Sequence, residues 1–417
     1  MQPHAPALIL LRRLLTLLAA ALATTGCSPL LRPPTVLFVA VGSNSEQRIT
    51  GELRQDIQER LEVLQTGFQR LHPDTNIQLG LYQADQLMAA MQRRSQAGLE
   101  PDLLFVNGDA ALELLSNGLI DPMPASPALL NNFAPELLDR VRDGRGRLAG
   151  LPVLVQTQLS CFDRRRVPQA PATLAELLQV SAGGQAVGLT VDPAHVLWTA
   201  GSLDAIPALQ HVLHGQRPSA EDRAAVTDWL RWLRAASSQQ RITFFGSQAE
   251  AEAALLAGEV SWIACNSISV PMLRRHLGNR LGVAPLPNGP NGQPAAAVNR
   301  VRVIALGRHS STGGRQRALA YARYSVNPLT QRTMTTGSRT VLPANRFVTV
   351  PVQSSQLLGA MQIAADQGRH SNALVAVIHG SDQRGPQLKV LLTSLVFGET
   401  TADAASDALL KLLQVTP

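Results

Sequence analysis

The sequence contains few cysteines and few aromatic residues. Three cysteines occur among 417 residues, and none lies in a C-x-x-C pair, which argues against a redox dithiol or a cysteine-based zinc site. Aromatic residues make up 4% of the chain, and its three tyrosines are too few for a tyrosine-ligated ferric-ion site. We therefore predict no metal and no cofactor.

Lysine is also scarce, and arginine carries the positive charge. Lys389 and Lys411 are the only lysines among 37 basic residues, and the formal net charge is +7. A nucleic-acid-binding surface would cluster this charge on one face beside aromatic stacking partners. Here the arginines are scattered, and the densest run is Arg164-Arg165-Arg166, so we predict no nucleic-acid partner.

Motifs of common enzymes are missing as well. The chain has no G-x-S-x-G nucleophile elbow, no phosphate-binding loop and no H-E-x-x-H zinc motif. Asp109 and Asp192 are carboxylates of the kind that glycosidases pair, but nothing in their spacing brings them together. We predict a protein that is not an enzyme and has no catalytic residues, with an exported carbohydrate-active enzyme as the third alternative.

The N-terminus has the pattern of a secretory signal peptide. Arg12 and Arg13 precede an apolar run over residues 14–23, which is too short to span a membrane as a helix. Small residues lead from this run to Cys27, an arrangement that resembles the lipobox of bacterial lipoproteins. The resemblance implies a signal peptide over residues 1–26 and a lipid on Cys27, which would anchor the protein to a membrane in the periplasm or at the cell surface. An ordinary signal peptide followed by an incidental cysteine is the alternative.

The next part of the chain alternates strands and helices. Residues 27–34 contain three prolines and predict a short extended leash. Predicted strands cover residues 35–41, 77–82 and 103–106, and predicted helices cover residues 52–71, 85–96 and 110–116. This order predicts a parallel sheet with helices on both faces, whose ligand binds beyond the carboxyl ends of the strands. The polar residues that follow those ends are Ser43, Asn44, Gln83, Asn107 and Asp109.

A second unit opens near residue 148. Its predicted strands cover residues 188–191, 260–264 and 301–306, and its predicted helices cover residues 220–236, 249–257 and 402–413.

Several short segments occur in an order that is typical of one protein family. Pro101-Asp102-Leu103-Leu104 would form a third strand, and Gly150-Leu151-Pro152 would lead across to a second lobe. Pro285-Leu286-Pro287 would precede a return crossing, and Gly398-Glu399 would precede a final helix. In this order the segments resemble the extracellular solute-binding proteins of ABC importers, in the branch that includes the maltodextrin-binding proteins. The match spans about residues 35–413.

The resemblance implies an α/β fold of two lobes joined by a hinge, the type II periplasmic-binding-protein fold. Each lobe would contain a mainly parallel sheet flanked by helices, and hinge bending would close the lobes on a ligand. The chain would cross near Val155 and return near Val298. The predicted lobes are residues 35–155 with 298–340 and residues 156–297 with 341–417.

Residues near the crossing complete the predicted ligand-binding set. Gln156, Gln158 and Asn266 lie at the crossing or at a strand end, where planar amides can hydrogen-bond a polar solute. Trp198 follows a predicted strand and offers a ring for stacking, and Thr340 lies in a segment that resembles a late loop of the family's cleft. The alternatives are turn capping for the asparagines and aspartates, and core packing for Trp198.

We therefore expect a lipid-anchored, monomeric solute-binding protein that captures a small polar solute, such as a sugar or polyol, and delivers it to an ABC permease. A lipoprotein of the same fold that acts as a sensor or scaffold is the alternative from another class. Cys161 and Cys265 could pair in this compartment or remain buried thiols, and the sequence leaves both open.

Overall fold

The computed structural model describes residues 34–43, 49–378 and 384–414. The predicted signal peptide, lipidated Cys27 and candidate site residue Asn44 lie outside these ranges. Within them, the chain forms two β-sheets, each covered by helices. No helix of the described ranges is both long enough and apolar enough to cross a bilayer.

Three strands have eight residues each, and the others are shorter. In chain order they are β1 (Thr35–Gly42), β2 (Thr75–Tyr82), β3 (Leu103–Asn107), β4 (Ile120–Asp121), β5 (Leu151–Gln156), β6 (Gln158–Asp163), β7 (Val187–Thr190), β8 (Ile242–Phe245), β9 (Trp262–Asn266), β10 (Leu281–Ala284), β11 (Arg300–Gly307) and β12 (Leu342–Pro343). The first sheet has the order β12-β5-β11-β3-β1-β2 with β4 beside β11, and the second has the order β10-β6-β9-β7-β8.

The helices cover both sheets and form an additional helical layer near the C-terminus. They are α1 (Gly51–Leu71), α2 (Leu87–Gln96), α3 (Gly108–Ser116), α4 (Pro127–Leu130), α5 (Pro135–Asp139), α6 (Leu174–Ala182), α7 (Pro193–Val196), α8 (Trp198–Ser202), α9 (Ile206–Leu213), α10 (Ala220–Ser237), α11 (Gln248–Ala257), α12 (Val270–Leu277), α13 (Thr312–Ser325), α14 (Pro328–Ser338), α15 (Gln356–Gln367), α16 (Asn372–Ile378), α17 (Arg384–Phe397) and α18 (Ala402–Leu413). Short 3₁₀ turns connect several of them.

Local sequence explains where the long helices begin. The hydroxyl of Thr50 accepts a hydrogen bond from the backbone N–H of Leu53 at the start of α1, and Ser219 and Asp222 form a capping box at the start of α10. Such caps satisfy backbone donors that have no partner within the helix. Leu61, Leu64 and Phe68 then turn one face of α1 toward the core.

Both sheets are mixed, which corrects the prediction of mainly parallel sheets. In the first sheet β1 is parallel to β2 and β3, but β11 is antiparallel to β3 and β5. In the second sheet β7 is parallel to β8 and β9, but β6 is antiparallel to β9 and β10. The physical reason is the double crossing: β5 runs toward the second lobe and β11 returns from it, so the two strands run in opposite directions.

The first lobe extends beyond its predicted end at residue 340. Leu342 and Pro343 form β12, which pairs with Val155 and Leu154 of β5 in the first sheet. A further bridge joins Asn345 to Phe133, another residue of the first lobe's core region. The backbone N–H of Arg346 also donates to the carbonyl of Asn132 at 2.9 Å, so contacts with the first lobe continue to residue 346, before α15 packs on the second sheet.

The two crossings between the lobes lie side by side. Gln156 ends β5 and Gln158 begins β6, so the buried Thr157 is the first crossing point. Its backbone N–H donates to Oγ of Ser267 at 3.2 Å, and its carbonyl accepts from the N–H of Ser267 at 2.8 Å. On the return crossing, the N–H of Val298 donates to Oε1 of Gln158 at 3.0 Å. These bonds join the first crossing to the end of β9 and the return crossing to the start of β6.

Cys161 and Cys265 form a disulfide, which decides between the two possibilities that the sequence leaves open. The bond joins the neighbouring strands β6 and β9, with the two Cα atoms 5.8 Å apart. Both cysteines are completely buried in the core of the second lobe. The disulfide therefore fixes the pairing of two central strands close to the hinge.

Candidate functional site

The first wall of the candidate site is the edge where β1 and β3 end and β11 begins. Arg302 of β11 is buried, and its Nη1 donates to Oδ1 of Asn107 at 3.0 Å. Its Nη2 donates to the carbonyl oxygens of Gly42 and Phe105, both at 2.8 Å. One guanidinium thus joins the carboxyl ends of β1 and β3, where the sequence predicts Ser43, Asn107 and a ligand.

Several charges gather at this edge. Burial lowers the pKa of Arg302 to about 9 and that of Arg140 to about 10, and the negative charge of Asp109 opposes both shifts. The positive charges of Arg300 and Arg60 lower the pKa of Arg302 further. We call Arg302, Arg140, Arg300, Arg60 and Asp109 the arginine cluster, and a second carboxylate, that of Asp56, lies 3.7 Å from Arg60.

The second wall is built at the end of β9 and the start of α7. Nδ2 of Asn266 lies 3.3 Å from Nε2 of His195, whose carbonyl accepts a hydrogen bond from Nε2 of Gln158 at 2.9 Å. Nδ1 of His195 lies 3.3 Å from Oδ1 of Asp192, and Nζ of Lys389 lies 3.8 Å from Oδ2. Burial would raise the pKa of Asp192, but the hydrogen bond and charge of His195 and the charge of Lys389 lower it to about 2.

Side chains also connect the two lobes directly. Arg275 of α12 donates from both Nη atoms to the two carboxylate oxygens of Asp56 in α1, each at 3.0 Å. One helical turn along α1, Nη2 of Arg60 donates to the carbonyl of Ile268 at 3.2 Å. We call these two contacts the interlobe bridge. The bridge holds the walls of the cleft near each other on the side of α1.

The structure brings most of the predicted site residues to the two walls. Asn107 ends β3, Asp109 lies in the first turn of α3, and Ser43 follows β1 at the same edge. Gln156 pairs with Arg300 in the first sheet, and Gln158 pairs with Asn266 in the second, directly across the crossing. Gln158 is completely buried and both ends of its amide are hydrogen-bonded, so its role there is to fix the hinge.

Gln83 lies away from the walls, whereas Thr340 lies two residues before Leu342, which pairs with Val155 beside Gln156 at the crossing. Gln83 follows β2 at the far edge of the first sheet and lines a cavity of about 470 Å³ together with Tyr82 and Arg93. Thr340 is buried just before β12, and its hydroxyl has no hydrogen-bond partner among the described residues. For both residues, contact with the ligand stays a prediction.

Trp198 is placed in the core, which corrects its assignment as a stacking surface. Its side chain is 0% exposed, and its ring centroid lies 6.0 Å from that of Trp262 within the second hydrophobic core. A ring without an exposed face cannot stack on a solute. Core packing, the alternative at the sequence level, is therefore the role of Trp198.

The arginine cluster was not predicted from the sequence. Arg300 and Arg302 alternate with apolar residues in the strand-forming segment Arg300-Val301-Arg302-Val303, and this could have signalled a charge on a buried strand. The partner Asn107 is 195 residues away from Arg302 in the chain, so the cluster itself could not be assembled without the fold.

The two walls together offer amides, guanidiniums, two carboxylates and an imidazole beside a hinge. Such a set can hydrogen-bond a polar solute. The described residues contain no group of three or more histidine, cysteine, aspartate or glutamate side chains that could hold a metal ion. Two α/β lobes joined by a double crossing, with polar residues between them, define the class of two-lobed binding proteins.

Comparison with known proteins gives the family. The profile of the bacterial extracellular solute-binding proteins matches residues 66–356, and the chain belongs to this family. This membership confirms the predicted resemblance, and it identifies the chain as a binding protein rather than an enzyme. The family name implies a location outside the cytoplasm. No curated protein sequence matches the chain significantly.

Solved structures with low sequence identity share the fold. The GacH receptor of Streptomyces glaucescens, described without ligand and with acarbose, has a TM-score of 0.71 at 18% identity, over 92% of this chain and 100% of that one. The maltose-maltodextrin-binding protein of Alicyclobacillus acidocaldarius has a TM-score of 0.68 at 17% identity, over 91% and 100%. A solute-binding protein of Thermotoga lettingae bound to α-D-tagatose has a TM-score of 0.66 at 16% identity, over 91% and 100%. These similarities confirm the predicted two-lobed fold.

Proposed function

We propose that the protein captures a small polar solute of the sugar or polyol type between its lobes and delivers it to an ABC permease. The observation that carries the proposal is the double crossing, which sets the polar edge at Gln156 and Asn107 beside the polar edge at Asn266 and His195. The fold relatives described above with acarbose and tagatose support a saccharide-like solute.

In this proposal, binding selects the closed arrangement. A solute that contacts both walls interacts more strongly when the lobes are together, so it shifts the hinge equilibrium toward closure. The closed lobes then present one combined surface to the permease. The protein acts as a monomer, because each chain contains both walls of the cleft.

A ligand screen tests the proposal. We expect a saccharide or polyol at 100 times its dissociation constant to stabilise the protein by about 2.7 kcal/mol, because a ligand of the folded state shifts unfolding by mass action. Thermal denaturation with panels of sugars, polyols and amino acids provides the measurement. Stabilisation by amino acids alone would contradict a sugar-like solute, and stabilisation by no panel would favour a sensor or scaffold.

Asn266→Ala should weaken solute binding about tenfold, because the solute would lose one hydrogen bond. Asn291→Ala, an exposed control outside the walls, should leave the affinity unchanged.

We also propose that a lipid on Cys27 anchors the protein to a membrane. The support is the sequence pattern before Cys27 together with membership of an extracellular binding-protein family. Cys27→Ser should move the protein from the membrane fraction to the soluble fraction and abolish incorporation of labelled fatty acid, because the acyl chains supply the membrane affinity. Equal membrane retention of the variant and the parent chain would contradict the anchor and favour an ordinary signal peptide.

A further inference from the structure

A short segment joins the second wall to the interlobe bridge. It consists of residues 266–269, the end of β9 and the 3₁₀ turn before α12, and we call it the connector. Its first residue, Asn266, belongs to the second wall, where its amide lies 3.3 Å from Nε2 of His195. The helix that follows the connector carries Arg275, which bonds Asp56 across the lobes. A shift of the connector would therefore move a wall residue and an interlobe contact together.

The two middle residues of the connector contact the hinge and the first lobe. Ser267 is buried and forms two hydrogen bonds with Thr157, the first crossing point: its N–H donates to the carbonyl at 2.8 Å, and its Oγ accepts from the N–H at 3.2 Å. The carbonyl of Ile268 accepts a hydrogen bond from Nη2 of Arg60 in the first lobe at 3.2 Å. Adjacent residues thus contact the second wall, the hinge and the first lobe, so these three contacts depend on one another.

A buried acid lies behind the connector. Glu252 is 5% exposed and is the one acidic residue on the buried face of α11, beside alanines and a leucine. Its Oε1 accepts a hydrogen bond from Nε2 of Gln248 at 3.3 Å, and the same Nε2 donates to the carbonyl of Ala264 at 2.8 Å, just before the connector. A hydrogen bond also joins Ser269, the last connector residue, to the carboxyl group of Glu252. The pair of Gln248 and Glu252 thus supports the connector at both ends.

Stability of α11 does not account for Glu252. Burying a carboxyl group costs free energy that hydrogen bonds only partly return, whereas an apolar side chain of similar size at such a site is often neutral or stabilising. The helix packs on β7, β8, β9 and α12, and a leucine would suit that interface. The contacts of Glu252 are therefore best explained by the placement of the connector.

We infer that Glu252 is a positioning residue for solute binding, which with Gln248 holds the connector so that one movement brings Asn266 to the solute and Ile268 to the first lobe. The inference rests on the proposed function, which supplies the solute and the closing movement, and it names the element that links the two. Glu252 acts through the connector and not by contact with the solute.

Glu252→Leu separates positioning from stability. In the ligand-free mature chain, we expect hydrogen–deuterium exchange of the backbone amides of residues 266–269 to become at least tenfold faster, because the connector loses its support. Small-angle X-ray scattering should give a larger radius of gyration, because the contact at Ile268 weakens, whereas the melting temperature should stay equal or rise. In calorimetric titrations with acarbose, α-D-tagatose and mannitol, any solute that binds the parent chain should bind the variant about tenfold more weakly.

Three further variants complete the test. Glu252→Gln keeps the size of the side chain and its hydrogen bonds, so it should restore the exchange, the radius of gyration and the affinity of the parent chain. Thr227→Val removes another buried polar group, on α10, and should change none of them. Ser269→Ala removes one partner of Glu252, so it should accelerate exchange of the connector by a smaller factor, and it serves as the test should Glu252→Leu fail to fold.

The outcomes distinguish this inference from the proposed function. Unchanged exchange of the connector in the folded Glu252→Leu or Ser269→Ala protein overturns the inference, as does parent-like affinity of Glu252→Leu for a solute that binds. A lower melting temperature of Glu252→Leu with equal losses in Glu252→Gln also overturns it, because Glu252 would then be structural. Binding of none of the three solutes by the parent chain counts against the proposed function alone, and exchange and scattering then decide the inference.

Discussion

Arg275→Glu is expected to weaken solute binding by about 30-fold, or about 2 kcal/mol, although Arg275 lies on the outer side of the cleft. In the structure, Arg275 donates two hydrogen bonds to Asp56 across the lobes, and Glu52 lies 3.9 Å away. A glutamate at position 275 would face both acids when the lobes close. The closed form would then lose an ion pair and gain repulsion, while the open form would be little affected.

Charge restoration separates this effect from a general loss of structure. Adding Asp56→Lys to Arg275→Glu should recover most of the affinity, because the reversed pair again attracts across the cleft. Repulsion between the introduced lysine and Arg60 arises within one lobe, so it is present in both the open and the closed form and cancels in the closing equilibrium. Arg274→Glu at the exposed neighbouring position of α12 controls for net charge and should bind like the parent chain. Small-angle X-ray scattering should give a larger radius of gyration for ligand-free Arg275→Glu than for the ligand-free parent chain. If neither the radius of gyration nor the solute affinity changes, the interlobe bridge does not stabilise the closed form.

Removing the disulfide is expected to lower the free energy of unfolding by about 5 kcal/mol. Cys161 and Cys265 are separated by 104 residues, and a cross-link that closes a loop of about 100 residues restricts the unfolded chain by about that amount. The double variant Cys161→Ala with Cys265→Ala should therefore melt about 6 °C lower than the parent chain, because the entropy of unfolding of a chain of this length is about 0.8 kcal/mol/K. Thermal unfolding followed by circular dichroism gives the measurement.

Reduction provides the matched control for the disulfide. A thiol reductant should lower the melting temperature of the parent chain to near that of the double alanine variant, and it should leave the variant unchanged. Equal melting of the two proteins under oxidising conditions would show that the bond contributes nothing to stability. A response of the variant to reductant would show that the shift has another cause, since Cys27 is the only other cysteine in the sequence.

Long periodic helices could be predicted closely from the sequence. Residues 52–71 predict a helix that the structure has as Gly51–Leu71, and the last helix, Ala402–Leu413, agrees at both ends. These helices have a continuous apolar face and capping residues, both of which are local in the sequence. Strands β6, β8 and β10 were not predicted, because four to six residues without clear alternation become strands only through pairing with distant neighbours.

Part of the candidate site could also be predicted from local sequence, and part could not. Asn107, Asp109 and Asn266 could be placed because polar residues directly follow buried strands, and the fold brings such strand ends together. Trp198 could not be distinguished from a surface ring, since its burial depends on Trp262 from a different element. Arg302 reaches Asn107 only because β11 returns antiparallel beside β3. Neither that return nor its register is visible in local sequence.

The position of β11 also has a consequence for the order in which the protein can fold. In the first sheet, β11 is the strand that joins β5 and β12 on one side to β3, β1 and β2 on the other. A chain that emerges N-terminus first cannot join the two parts of this sheet until residue 307 of 417 has appeared, and β12 completes the sheet only at residue 343. Contacts between such distant segments form slowly. The first sheet thus stays incomplete until most of the chain has been synthesised.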